Sequence, residues 1–241
     1  MINTYIITTN PMLNINQLVN FDYSYENLPN TELHERFSMV FNPVSRQLMP
    51  WRDEILDTAR NIGKLASDKP IYFCMSGGLD GEIAALAFIE CGIKFTAITC
   101  RHESGTNEHD IGYAHEFCKK YNIEQIIINF DPYDFFIYGI NKYIDQGYRS
   151  NKIFRYFQLF LLDTVNSLGG CAVLGGGDHM FFNDNGIPSF RYSPDFTLVL
   201  EWCKNNNSMH FPYFYKQNPH VFAAYKKIDL IELMLKNPNY F

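Results

Sequence analysis

Ile71-Tyr72-Phe73-Cys74-Met75-Ser76-Gly77-Gly78-Leu79-Asp80 is the stretch on which the fold turns. Its first five residues are an unbroken apolar run, the pattern of a strand buried on both faces, and Glu82-Ile83-Ala84-Ala85-Leu86-Ala87-Phe88 just beyond reads as a helix. A strand that ends in Ser-Gly-Gly and enters a helix builds a seat for an anion. The glycines let the main chain turn tightly, while the free amides and positive dipole end of the new helix point at the bound group. Asp80 adds a carboxylate where a phosphate-bound Mg²⁺ can sit. Gly-Gly alone would mean only a tight connection; the hydroxyl, the glycine pair and the carboxylate together specify more.

Working outward, the same alternation repeats. A helix over about 80–91 follows, then strand Phe95 to Cys100, a helix over about 107–121, strand Gln125 to Phe130, and a helix beginning near Pro132. A long helical stretch over about 151–168 precedes strand Cys171 to Leu174. Buried strands separated by helices predict an α/β fold with a doubly wound parallel sheet of about five strands, and ligands of such sheets bind at the carboxyl ends of the strands. Three loops meet there: 76–81, 100–107 and 175–179.

The flanks are less regular. Residues 1–69 read as an N-terminal accessory layer, with Tyr5 to Thr8 and Phe37 to Phe41 as strands of a small hairpin and a helix from about Pro50 to Leu65. Residues 70–182 form the expected core and 183–241 a cap. In the cap Asn183-Asp184-Asn185-Gly186 marks a turn, and Ile187 to Tyr192, Phe196 to Trp202 and Met209 to Tyr215 read as β-rich, before a last amphipathic helix from about Pro219 to Leu235.

Composition narrows the classes. The chain has 241 residues, 46% hydrophobic, enough for a full core, and a formal charge of −6 that disfavours a nucleic-acid surface. Six cysteines, at 74, 91, 100, 118, 171 and 203, lack any C-x-x-C spacing and read as buried thiols of a reducing compartment. The start Met1-Ile2-Asn3-Thr4 shows no signal-like pattern and no apolar run reaches membrane-spanning length, so a cytoplasmic protein is expected. Aromatic residues make up 16%, a content suited to core and to the interface of a homo-oligomer.

Ser76-Gly77-Gly78-Leu79-Asp80-Gly81 resembles the SGG-x-D-[ST] loop of the PP-loop, or N-type, ATP pyrophosphatases, with Gly81 in place of the usual Ser or Thr. A second segment, Val173-Leu174-Gly175-Gly176-Gly177-Asp178-His179-Met180-Phe181-Phe182, again reads as a strand, glycines and a carboxylate entering a helix, and it is similar to the G-x-G-A-D-E-L-F loop of the asparagine synthetase and β-lactam synthetase synthase domains. There Gly176 and Asp178 match, while His179 replaces Glu. Asn107-Glu108-His109-Asp110-Ile111-Gly112-Tyr113-Ala114 looks like the family's acidic D-E-x-x-Y-A helix start, although Glu108 and Asp110 would also serve as ordinary charges at a helix amino end.

The resemblance implies an adenine nucleotide alpha hydrolase-like fold and an AMP-forming ligase. In that chemistry a carboxylate oxygen attacks the α-phosphorus of ATP, pyrophosphate leaves, and an amine or ammonia then displaces AMP to form an amide. Ser76, Gly77, Gly78, Leu79, Asp80 and Gly81 would bind pyrophosphate and Mg²⁺, Asp178 would be a second metal ligand, and Thr99, Cys100, Leu174, Gly175 and Gly176 would lie near the adenosine. Asp80, Asp178 and His179 are the catalytic candidates, His102 is a second acid–base candidate, and either histidine would equally serve a structural hydrogen bond. The partners implied are a small carboxylate-type substrate and an amine or ammonia donor. With Ile at position 2, where the family's glutaminase exposes Cys, glutamine is not expected as the nitrogen source in this chain.

A cation near the reacting carbonyl is also implied, and Arg101, Arg155, Arg191, Lys216, Lys226 and Lys227 are its candidates. Two other readings stay open. A sulfur-transfer or queuosine-pathway enzyme of the same superfamily would need a zinc-type cysteine set or a reactive cysteine pair, and neither spacing occurs here, Cys100 at a strand end being the thiol to test; a catalytically reduced nucleotide-binding protein would keep the loop without the chemistry.

Overall fold

The computed structural model describes residues 14–16, 19–23, 37–41, 46–150, 152–176, 181–184, 187–190, 196–225 and 227–228. Three short strands come first, β1 (Asn14–Asn16), β2 (Val19–Tyr23) and β3 (Phe37–Phe41), paired antiparallel in that order. The expected strand Tyr5 to Thr8 lies outside the described residues. Helix α1 (Trp51–Ala66) starts after Pro50, whose ring suits a helix start, and carries Asp53 and Glu54 in its first turn, where acidic charge complements the dipole.

The core follows as β4 (Ile71–Cys74), α2 (Leu79–Glu90), β5 (Thr96–His102), α3 (Glu108–Tyr121) and β6 (Gln125–Phe130). The helix expected at Pro132 is broken into α4 (Pro132–Asp134), a π-helical turn over Phe135–Gly139 and α5 (Asn141–Asp145). Then come α6 (Phe154–Ser167) and β7 (Cys171–Leu174). The four strands are all parallel, in the order β6-β5-β4-β7, which makes the doubly wound α/β sheet that the apolar runs predict. Because the order steps outward from β4 in both directions, the carboxyl end of β4 is the switch point where such sheets leave a crevice.

Phe73 shows why the runs are continuous. It is fully buried on β4, with Phe88 of α2 edge-on at 5.5 Å and Phe95 at 5.5 Å. The opposite face of the sheet packs on α6, where Leu159, Leu162 and Val165 are buried. A strand covered on both sides has no polar face, and each such aliphatic or aromatic side chain contributes roughly 1.5–3 kcal/mol by leaving water.

The sheet has four strands among the described residues; a fifth is reduced to one bridge, Val173 to Phe211. Pro212, with no N–H, stops that pairing from continuing. The second glycine loop was expected to enter a helix, but Phe181–Asp184 is strand β8, paired antiparallel with β9 (Ile187–Phe190). Asp184 pairs with Ile187, leaving Asn185-Gly186 between them, the sequence that two-residue hairpins prefer. Phe196 to Trp202, read as β-rich, belongs to helix α7 (Phe196–Asn205). Leu198 through Cys203 are all buried, so no periodicity distinguished a buried helix from a strand. A 3₁₀ turn over Phe214–Lys216 and α8 (Pro219–Tyr225) complete the described chain; the expected continuation of α8 to Leu235 lies outside it.

His210 closes the outer edge of β7. The Ala172 N–H donates to its Nδ1 at 3.0 Å, while the neighbouring main chain bonds through Phe211 N–H to Ala172 O at 2.7 Å and Leu174 N–H to Phe211 O at 3.1 Å. An imidazole thus takes the place of a strand carbonyl. Among the described residues no helix is long and apolar enough to cross a membrane.

Candidate functional site

At the carboxyl end of β4 the chain turns through Ser76 and Gly77 into α2. Gly77 has φ +89°, and a Cβ there would lie 2.0 Å from the main-chain oxygen of Asp110, so this glycine lets the loop press against the start of α3. Gly78 is the residue before α2, and no side chain caps the helix there. The first-turn amides are therefore left to another acceptor, with the helix dipole behind them. Leu79 is 69% exposed, and Ser76 and Asp80 are exposed beside it.

Gly175, after β7, comes against Gly81. A Cβ on Gly175 would sit 2.4 Å from Gly81 Cα, whereas a Cβ on Gly81 would meet nothing within 4 Å. The glycine at 175 is thus a packing requirement between two loops, and the one at 81 is not. Tyr215 fixes the same helix start by donating its phenolic O–H to the Asp80 carbonyl at 2.7 Å.

These loops wall a cleft of about 530 Å³. Its lining combines the loop residues Ser76, Gly78, Asp80, Gly81 and Gly176 with the apolar Met75, Ile98, Leu174, Phe157 and Leu161. Leu79, Cys100, His102 and Gly175 complete the predicted residues that the structure gathers here; Gly77, turned against α3, is not part of the lining. Thr99 does not join them: it is buried on the other face of β5, where its Oγ1 accepts from Gln125 Nε2 at 2.9 Å. Period-two alternation puts neighbouring residues of a strand on opposite faces, so Cys100 and Thr99 cannot both face the cleft. Gly177, Asp178 and His179 lie outside the described residues.

Cys74 and Cys100 also line the cleft. Burial raises both thiols, Cys100 to about 12 and Cys74 further, with the neighbouring Cys100 adding to the shift. They are protonated at neutral pH, and a thiol nucleophile acts as thiolate. His102 lines the cleft too, held by Thr106 Oγ1 at 2.9 Å from Nδ1. Its main-chain N–H donates to Asn107 Oδ1 at 2.8 Å, and Asn107 Nδ2 donates to Cys100 O at 2.9 Å, so one amide side chain braces the whole loop.

Several lining residues were not singled out by the sequence: Met75, Asn107 as a brace, and the α6 residues Phe154, Phe157, Gln158 and Leu161. The last four have i, i+3, i+4, i+7 spacing, the signal of one helix face. That signal was masked because Tyr156, Leu159 and Leu162 make a second apolar face toward the core. Of the expected cations, Arg101 pairs with Glu108 at 3.1 Å, and Arg155 is buried behind the cleft wall. Arg191 and Lys226 lie outside the described residues.

No protein-family model matches the chain, and no curated relative matches it in sequence. Solved structures do. NMN synthetase from Francisella tularensis matches at 16% identity over 78% of this chain and 75% of its own, with a TM-score of 0.42. The NH₃-dependent NAD synthetase from Campylobacter jejuni matches at 14% over 67% and 77%, with a TM-score of 0.39. The predicted subunit of tRNA methyltransferase from Methanocaldococcus jannaschii matches at 15% over 64% and 73%, with a TM-score of 0.40. These three do not share one activity. At such identities and scores the functional reading rests on this chain's own residues.

Proposed function

We propose that this protein binds ATP in the cleft and splits it to AMP and pyrophosphate while activating a carboxylate-type substrate for amide formation. The observation that carries the reading is the amino end of α2, left without a side-chain cap, whose residues Ser76, Gly78 and Gly81 line a cleft that also has apolar walls. A triphosphate suits the helix end and a base the apolar walls. Without a side chain on Gly78, Gly81 or Gly176, the phosphates can approach main-chain amides closely.

The residues fit Mg²⁺ as well. Asp80 is exposed in the first turn of α2, and its carboxylate is a hard oxygen donor. Among the described residues no three His, Cys, Asp or Glu gather into a cage, so a metal here would rest on Asp80, on phosphate oxygens and, by the family resemblance, on Asp178. Bound there, Mg²⁺ would neutralise charge on the departing pyrophosphate. The chain's own part is to hold the phosphates on fixed amides where charge develops, a kind of electrostatic preorganisation that commonly supplies several kcal/mol. In the reaction a substrate carboxylate oxygen bonds to the α-phosphorus while the bond from that phosphorus to the bridging oxygen breaks, its electron pair leaving on pyrophosphate; the nitrogen of an amine or ammonia then bonds to the acyl carbon and gives up a proton to solvent as the acyl–oxygen bond breaks and AMP leaves with its electron pair.

Thiol chemistry has less support, because both cysteines of the cleft are held protonated by burial. Chromatography of products with ATP, Mg²⁺ and candidate carboxylates tests the proposal. AMP and pyrophosphate are expected; ADP and phosphate would refute it, and tight binding without turnover would leave a nucleotide-binding protein.

A further inference from the structure

Helix α6 presents Phe154, Phe157, Gln158 and Leu161 to the cleft. Between them, on the core side, Arg155 is only 4% exposed. Its Nη1 lies 2.7 Å from Gln158 Oε1, its guanidinium carbon is 4.3 Å from the centre of the Phe154 ring and 5.8 Å from that of Tyr213, and Nη1 also lies 3.4 Å from the Tyr213 hydroxyl. An arginine can only donate, so the Gln158 atom facing it must be the oxygen. The amide nitrogen is then on the other side of the group, and among the described residues it meets no protein acceptor.

We propose that Gln158 reads the edge of the ligand's heteroaromatic base among the apolar lining residues of the cleft, and that Arg155 is the positioning residue that orients its amide. The inference rests on the nucleotide reading above and adds to it a residue that decides which ligand fits. Phe154, Phe157 and Leu161 with Ile98 and Leu174 offer apolar surface to a flat ring, and the Gln158 NH₂ asks for an acceptor on the ring's rim. A purine carries ring nitrogens there. An alkyl chain would leave both N–H groups without a partner, and a site built to hydrogen-bond discriminates strongly against a ligand that cannot. Because Arg155 holds the amide before the ligand arrives, little rotamer freedom is lost on binding.

The test is calorimetric binding of Mg-ATP and of Mg-tripolyphosphate, which has no base, to the wild-type protein and to Gln158→Leu, Gln158→Glu and Arg155→Lys. The wild type should prefer ATP. Gln158→Leu should lose about 3- to 10-fold in ATP affinity, the scale of one net hydrogen bond, with tripolyphosphate unchanged. Gln158→Glu, which keeps an oxygen toward Arg155 but has no donor, should lose at least as much. Arg155→Lys should lower the ratio of ATP to tripolyphosphate affinity, a readout that a general loss of stability would not move. Unchanged ATP binding in Gln158→Leu, or equal losses for both ligands, overturns the proposal. A wild type that binds tripolyphosphate without preferring ATP also overturns it, whereas a wild type that binds neither overturns the nucleotide reading itself.

Discussion

Tyr215 donates to the main-chain carbonyl of Asp80 at 2.7 Å, across 135 positions of sequence. Its ring lies nearly parallel to that of Trp51, with centroids 6.4 Å apart and an interplanar angle of 3°. One side chain of the C-terminal region therefore ties the first turn of α2 to α1. Removing the hydroxyl with Tyr215→Phe should keep the stack and lose the bond, at about 1 kcal/mol of stability. Urea unfolding measures that loss, and Mg-ATP binding should weaken several-fold if the helix start is the phosphate seat. Unaltered binding in a destabilised variant would show that Tyr215 supports the fold alone.

The glycines of the two loops should respond in opposite ways. Gly81 is inside the first turn of α2 with open space at its Cβ position, so Gly81→Ala should stabilise the protein by about 0.5–1 kcal/mol. Gly175→Ala would drive its Cβ to 2.4 Å from Gly81 Cα and should cost roughly 1–3 kcal/mol. Denaturant midpoints of the two variants check the pair, and two shifts of the same sign would contradict the packing described.

Asp80→Asn removes a charge without changing shape on an exposed helix turn, so folding should be nearly unaffected. Metal-dependent turnover should fall by roughly 10²-fold or more, the scale of removing one electrostatic clamp. Full turnover at saturating Mg²⁺ would remove Asp80 from the chemistry.

Acid should loosen the edge of β7. Burial, with a smaller effect of Lys69, lowers His210 to about 4 from its ordinary value of 6.5. Between those values the unfolded chain holds the proton and the folded one does not, so the stability present above pH 6.5 declines as pH falls toward 4. Below that the imidazole is protonated in the folded state too and no longer accepts from Ala172. His220 is lowered as well, mainly by burial, and contributes with the same sign. Urea midpoints across this range should show a shallower slope in His210→Gln than in the wild type; identical slopes would exclude His210 as a source.

Much of the core could be read without coordinates because its signals are local. Gln125 to Phe130 became β6 on the strength of its Ile126 to Ile128 triplet, although as an edge strand it exposes Ile127 and Asn129, and the run Cys171 to Leu174 became strand β7 residue for residue, since a strand buried on both faces writes its length as an uninterrupted apolar run. Phe196 to Trp202, apolar except for Thr197 and Glu201, is a helix instead. The difference lies in what surrounds it, which no local pattern records.

By itself the sequence determined the parallel α/β alternation, the turn from β4 into α2, and the residues of the loop Ser76 to Gly81, because strand burial, helix entry and glycine turns depend on near neighbours in the chain. Only the tertiary structure decided that Gly77 serves Asp110 of α3, that Gly175 rests on Gly81, that Thr99 turns away from the cleft, and that Arg155 aligns Gln158 within its wall. Each of those is set by the distance between elements far apart in sequence, or by which face of a strand or helix meets a partner. Packing of the whole chain fixes such distances and faces, and the order of its residues does not spell them out.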